Sequence, residues 1–366
     1  MHPNLVSFEE LPPWARDNPL ITSGYRRPGD PMYSETQDTA AIPPGLRRRT
    51  SGVADKPVSA PVFCHDTAAK CWQSVWSYWH NETVNIHTHL WGSVLAFVLL
   101  SAHVLDMLGL LPWGHVLHSA TVDDLPLGPR LAKLARVIPL HHSAPPDWQD
   151  IVGFGIFLAS AAVCLGCSAT YHTMSCHSRE TARSYNRLDY LGIVVLICGS
   201  GIPMLRYLFM CHPRLYTGYL VLSLTLGAAA LAVVLQTKSQ TSVYRPIRTA
   251  IFVALGLSGV FPMLHAVSLY ETHLVFESLG MRQVAVSGAL YIFGAVLYAT
   301  RTPERFAPGK FNYIGSSHQI FHCFVLAGAW YHYRAVCRAY HFWHTVETIG
   351  GHVGERAICF MLNHHF

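Results

Sequence analysis

Charge is scarce in this chain of 366 residues: Asp, Glu, Lys and Arg together make up 13% of it, against 51% hydrophobic residues. A soluble domain of this length alternates apolar with charged faces; here apolar blocks of about 20 residues repeat, the length that spans ~30 Å of hydrocarbon. Mean hydropathy is +0.25 even though the N-terminal stretch is polar. The net charge of +5 is modest and its basic residues are scattered over loops, so nothing points to a nucleic-acid surface. The ten cysteines follow no framework spacing. Cys164 and Cys167 form a nominal CxxC, but inside an apolar run they read as buried thiols rather than a redox or zinc pair. A cleavable signal peptide is not expected, because Glu9, Glu10, Arg16 and Asp17 precede any apolar run.

What is present is an all-α, polytopic pattern. Residues 1–66 are rich in Pro, Gly, Ser and charge, with Pro12-Pro13, Pro43-Pro44 and Arg47-Arg48-Arg49, and are expected to be a disordered segment. Residues 67–340 form the membrane domain. It opens with a short amphipathic helix, Thr67 to Trp79, whose Trp72, Val75, Trp76 and Trp79 fall at helical spacing and suit the membrane interface. Seven spans follow: Asn85–Leu111, Trp148–Tyr171, Leu188–Phe209, Leu215–Leu235, Ile247–Leu269, Val284–Thr300 and Ser317–Tyr340. The loop from Pro112 to Asp147 is long and extramembrane. Residues 341–366 form a tail with His341, His344, His352, His364 and His365, expected to be disordered rather than a second metal site. Arg and Lys concentrate in the short loops after spans two, four and six (Arg179, Arg183, Arg187; Lys238, Arg245, Arg248; Arg301, Arg305, Lys310), which puts the N-terminus in the cytosol and the C-terminus outside it.

The chemistry gathers at His318 and His322. Two imidazoles four residues apart lie on one helix face, as a divalent metal requires of neighbouring ligands, although such a pair also arises by chance among 23 histidines. Span parity supplies partners: His172 and Ser168 end span two and Asp189 begins span three, on the same membrane face. Three histidines leave an open coordination position, the arrangement of catalytic zinc. Asp189 is placed to hold a water and accept its proton; its alternative is an ion pair with Arg183 or Arg187. Ser168, four residues before His172, is placed to orient a ligand or donate to an oxyanion. Glu82 and Asn85, three apart at the start of span one, read first as a helix cap. His87, His89 and His265 read as isolated hydrogen-bonded or interfacial histidines.

The strings Glu82 to Leu90, Ser168 to His172 with Cys176-His177-Ser178, Leu188 to Ile193, Pro308 to Phe311 and Ser317 to His322 resemble the progestin and adipoQ receptor family. Within it they look closest to adiponectin receptors and their fungal homologues, with haemolysin-III-like proteins as wider relatives. The resemblance implies a seven-helix fold with cytosolic N-terminus and an intramembrane Zn²⁺ held by His172, His318 and His322, with Asp189 holding the water and Ser168 as the serine of the family's SxxxH motif. It implies a link to ceramide hydrolysis and, in fungal relatives, to lipid and zinc homeostasis and recognition of an osmotin-type plant protein. Two functions follow as expectations for a multi-pass protein of the plasma membrane or endomembranes. One is a zinc-dependent amide hydrolase acting on a ceramide-like membrane lipid. The other is a signalling receptor for an extracellular protein or steroid ligand, with zinc as a structural clamp. A pore or metal transporter fits less well, because spans four to six carry few polar groups in series.

Overall fold

The computed structural model describes residues 2–29, 64–110, 147–236, 242–353 and Cys359. Nine α-helices make up the described bundle: α1 Ala68–Ser77, α2 Thr83–Met107, α3 Trp148–Met174, α4 Arg179–Leu208, α5 Pro213–Val234, α6 Arg245–Leu257, α7 Val260–Leu269, α8 Met281–Thr300 and α9 Ser317–Val353. A two-stranded ribbon pairs β1 Leu5–Val6 antiparallel with β2 Tyr25–Arg26. Most of the Pro112 to Asp147 loop and the Arg47-Arg48-Arg49 run lie outside the described residues.

Local sequence accounts for the helix starts. Thr67 caps α1 by accepting from Lys70 N at 3.3 Å, Ser178 caps α4 by accepting from Thr181 N at 3.3 Å, and Asp147 and Asp150 form a reciprocal capping box on α3. Pro213 occupies the first turn of α5, where its missing N–H costs nothing. The fifth span breaks in the middle: Ser258 turns its hydroxyl onto the Leu255 carbonyl at 2.6 Å, separating α6 from α7.

Six helical stretches, with Arg245–Leu269 taken as one, are long and apolar enough to cross a membrane. This makes the chain a multi-pass integral membrane protein. At 37 residues α9 is long enough to cross, but His318, His322, His332, Arg334 and Arg338 make it more polar. The spans are not equivalent. Half of the apolar window of α3 is buried against 11% for α2, so α3 runs inside the bundle while α2 turns Trp91, Leu95, Phe97 and Val98 outward. Around α3 the core joins Phe154, Phe157 and Leu158 to Leu205 and Tyr207 of α4 and Ala335, Val336 and Ala339 of α9. Close approach of α3 and α4 requires Gly192, where a Cβ would meet Cys164 Cα at 2.9 Å.

Two terminal regions differ from what composition suggests. Residues 2–29, expected to be disordered, form a strap across one end of the bundle. Arg245 pairs with Asp17, Arg301 donates to the Asp17 carbonyl at 2.9 Å, Asn18 donates to Glu304 at 3.1 Å, and Thr22 N donates to Asn312 at 2.8 Å. Arg26 is buried and donates to Ser74 Oγ at 3.0 Å, to the Thr173 carbonyl at 2.9 Å and to the His172 carbonyl at 2.5 Å. A segment too poor in apolar residues to build its own core is ordered here by polar groups that the bundle supplies and by burial of Leu5, Val6, Leu11 and Ile21. Further along, His65 is buried against the Arg27 carbonyl at 2.7 Å and Tyr78 at 2.6 Å, and burial pulls its pKa down to about 4.

The expected tail of 341–366 likewise begins as ordered helix, because α9 continues to Val353. His344 is no tail ligand: it lies buried against Asp150 at 3.0 Å, and Tyr207 donates to the same carboxylate at 2.7 Å. A disulfide joins Cys211, just past α4, to Cys359, 148 residues later in the chain. His352 lies in the last described turn of α9, and His364 and His365 lie outside the described residues.

Removing Arg26 strands buried carbonyls, each worth about 1–3 kcal/mol when left without a donor. Arg26→Ala is therefore expected to lower the melting temperature of the detergent-solubilised protein well below that of Arg26→Lys, which keeps one charged donor. Acid is expected to destabilise the strap as well. The His65 ring takes up a proton at pH 6.5 when unfolded but only near pH 4 when folded, so its contribution is complete above pH 6.5 and is lost progressively as pH falls toward 4. A melting series from pH 7 to pH 4, with His65→Gln as the less pH-sensitive reference, checks this.

Candidate metal centre

Four helix ends meet beneath the strap: the start of α2, the end of α3, the first turns of α4 and the start of α9. One turn of α9 separates His318 from His322, whose ring centroids stand 4.8 Å apart. From α3, His172 comes within 4.9 Å of each. One ring nitrogen from each of the three lies within 4.8 Å of the others, and His172 and His322 are buried. Tetrahedral zinc at ~2.0–2.1 Å from each nitrogen would bring them to about 3.4 Å apart, so small ring rotations close the set.

Partners on the outer side of each ring decide what the inner side offers. Glu82 Oε2 takes His172 Nδ1 at 2.7 Å and accepts from Asn85 Nδ2 at 2.7 Å. With its Nδ1 proton committed to Glu82, the Nε2 of His172 is basic, buried and without a hydrogen-bond partner. A buried imidazole nitrogen left this way is unfavourable unless something binds it. On α9, His322 Nδ1 donates to the Asn85 carbonyl at 3.1 Å, which leaves its Nε2 as the free base. The face of His322 is covered by His89, stacked at 3.6 Å with a 7° tilt, and the ring of His318 meets Tyr298 edge-on at 4.9 Å. Neutral imidazoles fixed by carboxylate and carbonyl partners are the donor set that a borderline divalent ion such as Zn²⁺ prefers.

Ser168 is buried one turn before His172 on α3, and Asp189 of α4 interacts with both Ser168 and His172. Thus His172, His318 and His322 come together, with Ser168 and Asp189 beside them. A cavity of about 180 Å³ with mixed polar and apolar lining opens next to the cluster, lined by Glu82, Asn85, Tyr171, His172 and His318 of the bundle and by Asp17, Tyr25 and Arg26 of the strap.

The expected cap does not form. Glu82 precedes α2 but makes no side-chain bond to the helix N–H groups; its carboxylate goes to His172 instead, while His80 accepts from Glu82 N at 3.2 Å and Thr83 N at 3.1 Å. The sequence signal for it was present in the spacing of Glu82, Asn85 and His89, which puts all three on one face of α2. His89 is likewise not an isolated residue. By contrast, His87 bonds the Val75 carbonyl at 3.1 Å and meets Trp76 edge-on, and His265 bonds Tyr219 at 2.9 Å; neither belongs to the cluster.

A family model for haemolysin-III-related proteins matches residues 77–333, the whole stretch that carries this centre. Among characterised proteins, the chain is similar to progestin and adipoQ receptor-like protein 1 of Caenorhabditis elegans, 33% identical over 91% of this chain and 60% of that protein. It is 32% identical to the adiponectin receptor protein of Drosophila melanogaster, over 90% of this chain and 58% of that one. It is also 31% identical to the ADIPOR-like receptor IZH1 of Eremothecium gossypii, over 92% and 85%. The chain thus spans about three fifths of the length of the first two relatives.

If His172, His318 and His322 hold one ion, inductively coupled plasma analysis of purified protein is expected to find about one zinc per chain, lost in each single His→Ala variant. Glu82→Gln keeps the shape but weakens the acceptor on His172. It is expected to lower zinc affinity about 10–100-fold in chelator competition while leaving the helical content unchanged.

Proposed function

The chain belongs to the haemolysin-III-related family, with the progestin and adipoQ receptors, and from that premise we propose that it is a seven-span, zinc-dependent amide hydrolase acting on a ceramide-like membrane lipid. The observation that carries this proposal is the cluster of three imidazoles whose ring nitrogens converge beside Ser168 and Asp189 and next to a cavity. In this reading α9 is the seventh span, and the histidine end of the bundle faces the cytosol. The Cys211–Cys359 disulfide at the opposite end supports that orientation, since disulfides persist on the oxidising side of a membrane.

His172, His318 and His322 would hold the ion, which supplies Lewis acidity toward a carbonyl oxygen and makes water acidic near neutral pH. Asp189 holds the attacking water and takes its proton. Ser168 donates its one hydroxyl proton to that carboxylate and so orients it. Glu82 fixes the His172 tautomer, and Asn85 fixes Glu82 and His322 together. The products are a sphingoid base and a fatty acid, each able to leave through lipid.

A second reading makes the protein a receptor in which the ion clamps α3 to α9 and an extracellular protein or steroid ligand shifts the cytosolic surface. The receptor names of its relatives support it; three histidines, one short of a closed four-ligand site, favour the hydrolase.

Purified protein in nanodiscs containing a labelled ceramide separates the two. A hydrolase is expected to turn lipid over, with Asp189→Asn reducing kcat by about 10²–10⁴-fold at unchanged zinc content, and His322→Ala losing zinc and activity together. Turnover that neither substitution alters would leave the receptor reading standing. A glycosylation acceptor sequence appended after Phe366 is expected to be modified in microsomes, and one placed before Met1 is not; the reverse pattern overturns the orientation.

A further inference from the structure

Two thiols lie in contact at the histidine end of the bundle. Cys71 of α1 and Cys176, two residues past α3, place their Sγ atoms 3.7 Å apart, and both are buried. Among the described residues Cys71, Cys176 and Met174 form a small core of their own, sealed by Tyr185. At the other end, Cys211 and Cys359 are already bridged. We propose that Cys71 and Cys176 are a reversible redox site, reduced at rest and joined as a disulfide by peroxide.

Three features distinguish this contact from ordinary thiol packing. First, the separation is close: an S–S bond of ~2.05 Å needs the sulfurs to approach by about 1.7 Å, within the reach of a rotamer change and a small shift of a ten-residue helix. Second, Cys176, Ser175 and Arg26 are among the residues that line the cavity beside the histidines, which brings a small oxidant next to an otherwise buried pair. Third, the surroundings make the two sulfurs unequal. Burial pushes the Cys176 thiol up, but the contact with Cys71 and the charge of Arg26 outweigh it, so its pKa falls below the ordinary thiol value; the contact with Cys176, and then burial, push the Cys71 thiol up. In such a pair the thiol with the lower pKa is the attacking cysteine and its neighbour the resolving one.

The chemistry balances with peroxide as the named oxidant. Cys176 sulfur attacks one peroxide oxygen, the O–O bond breaks, and a sulfenic acid forms with loss of water. Cys71 sulfur then attacks the sulfenic sulfur, the S–S bond forms, the S–O bond breaks, and a second water leaves. Two thiols and one peroxide become one disulfide and two waters. The new bond would tie α1 to the turn that follows His172, the same turn whose carbonyls Arg26 already holds. The inference concerns thiol chemistry and stands whatever the histidines bind.

Full-length protein in lipid nanodiscs, treated with hydrogen peroxide and then alkylated, tests it by non-reducing peptide mapping. Free thiols are expected to fall from eight to six, with a single new Cys71–Cys176 cross-link that thioredoxin reverses while Cys211–Cys359 stays intact. Cys71→Ser is expected to leave a sulfenic acid on Cys176 that dimedone captures, and Cys176→Ser to leave Cys71 reduced. Oxidation confined to the exposed Cys323 and to Cys64, with the buried pair reacting only in denaturant, overturns the proposal. So does an equal loss of the Cys71 thiol in Cys176→Ser. Should a serine variant fail to fold, the map of the unsubstituted protein decides alone.

Discussion

The interaction on which the rest of this structure depends is the hydrogen bond between His172 and Glu82. It spans two helices, lies at the end of the bundle that the strap crosses, and gives an imidazole a fixed tautomer. Without an acceptor at Nδ1, His172 could present either nitrogen to the cavity. With Glu82 in place it presents Nε2, buried and unpartnered. Asn85 extends the constraint, because its amide donates to Glu82 while its carbonyl receives His322, so two imidazoles from different helices are set by one turn of α2.

A polar centre inside an apolar bundle also needs a lid, and the strap of residues 2–29 provides one. It buries Leu5, Val6, Leu11 and Ile21 and makes ion pairs and hydrogen bonds besides: Asp17 with Arg245, Asn18 with Glu304, Arg26 with the end of α3. Glu304, fully buried, links the strap to the centre, since it also accepts from Ser317 N at 2.8 Å at the start of α9, one residue before His318. Buried groups of this kind are costly unless every partner is present, which ties the order of the strap to the order of the centre.

The two ends of the bundle differ in cysteine chemistry as well as in polarity. A disulfide closes the end where α4 meets the tail, and thiols in contact lie at the end where the histidines gather. An asymmetry of that kind is natural for a protein that crosses between a reducing and an oxidising compartment. It adds to the Lys and Arg bias of the loops, which rests on separate physics.

Much of the centre was legible in the linear chain. Long apolar runs located the apolar part of each helix, because burial in lipid leaves few alternatives to helix, but not the polar extensions from Arg179 to Arg187 and from His341 to Val353. Helical spacing put His318 beside His322, and parity put His172 and Asp189 at the same end, because a chain that crosses a membrane repeatedly can place a residue on only two faces. What the sequence could not decide is which polar neighbours meet across helices. Glu82 looks like a cap in one dimension and becomes the acceptor for His172 only when α2 and α3 pack, and the strap looks disordered until Arg245, Glu304 and Asn312 from distant segments supply its partners. Cys71 and Cys176 are 105 residues apart, and no local pattern relates them. The sequence by itself determined the helices, the membrane class and which histidines share a face, since these follow from periodicity and apolar length; the tertiary structure alone decided the hydrogen-bond partners, because those depend on rotation and approach of helices that sequence spacing does not encode.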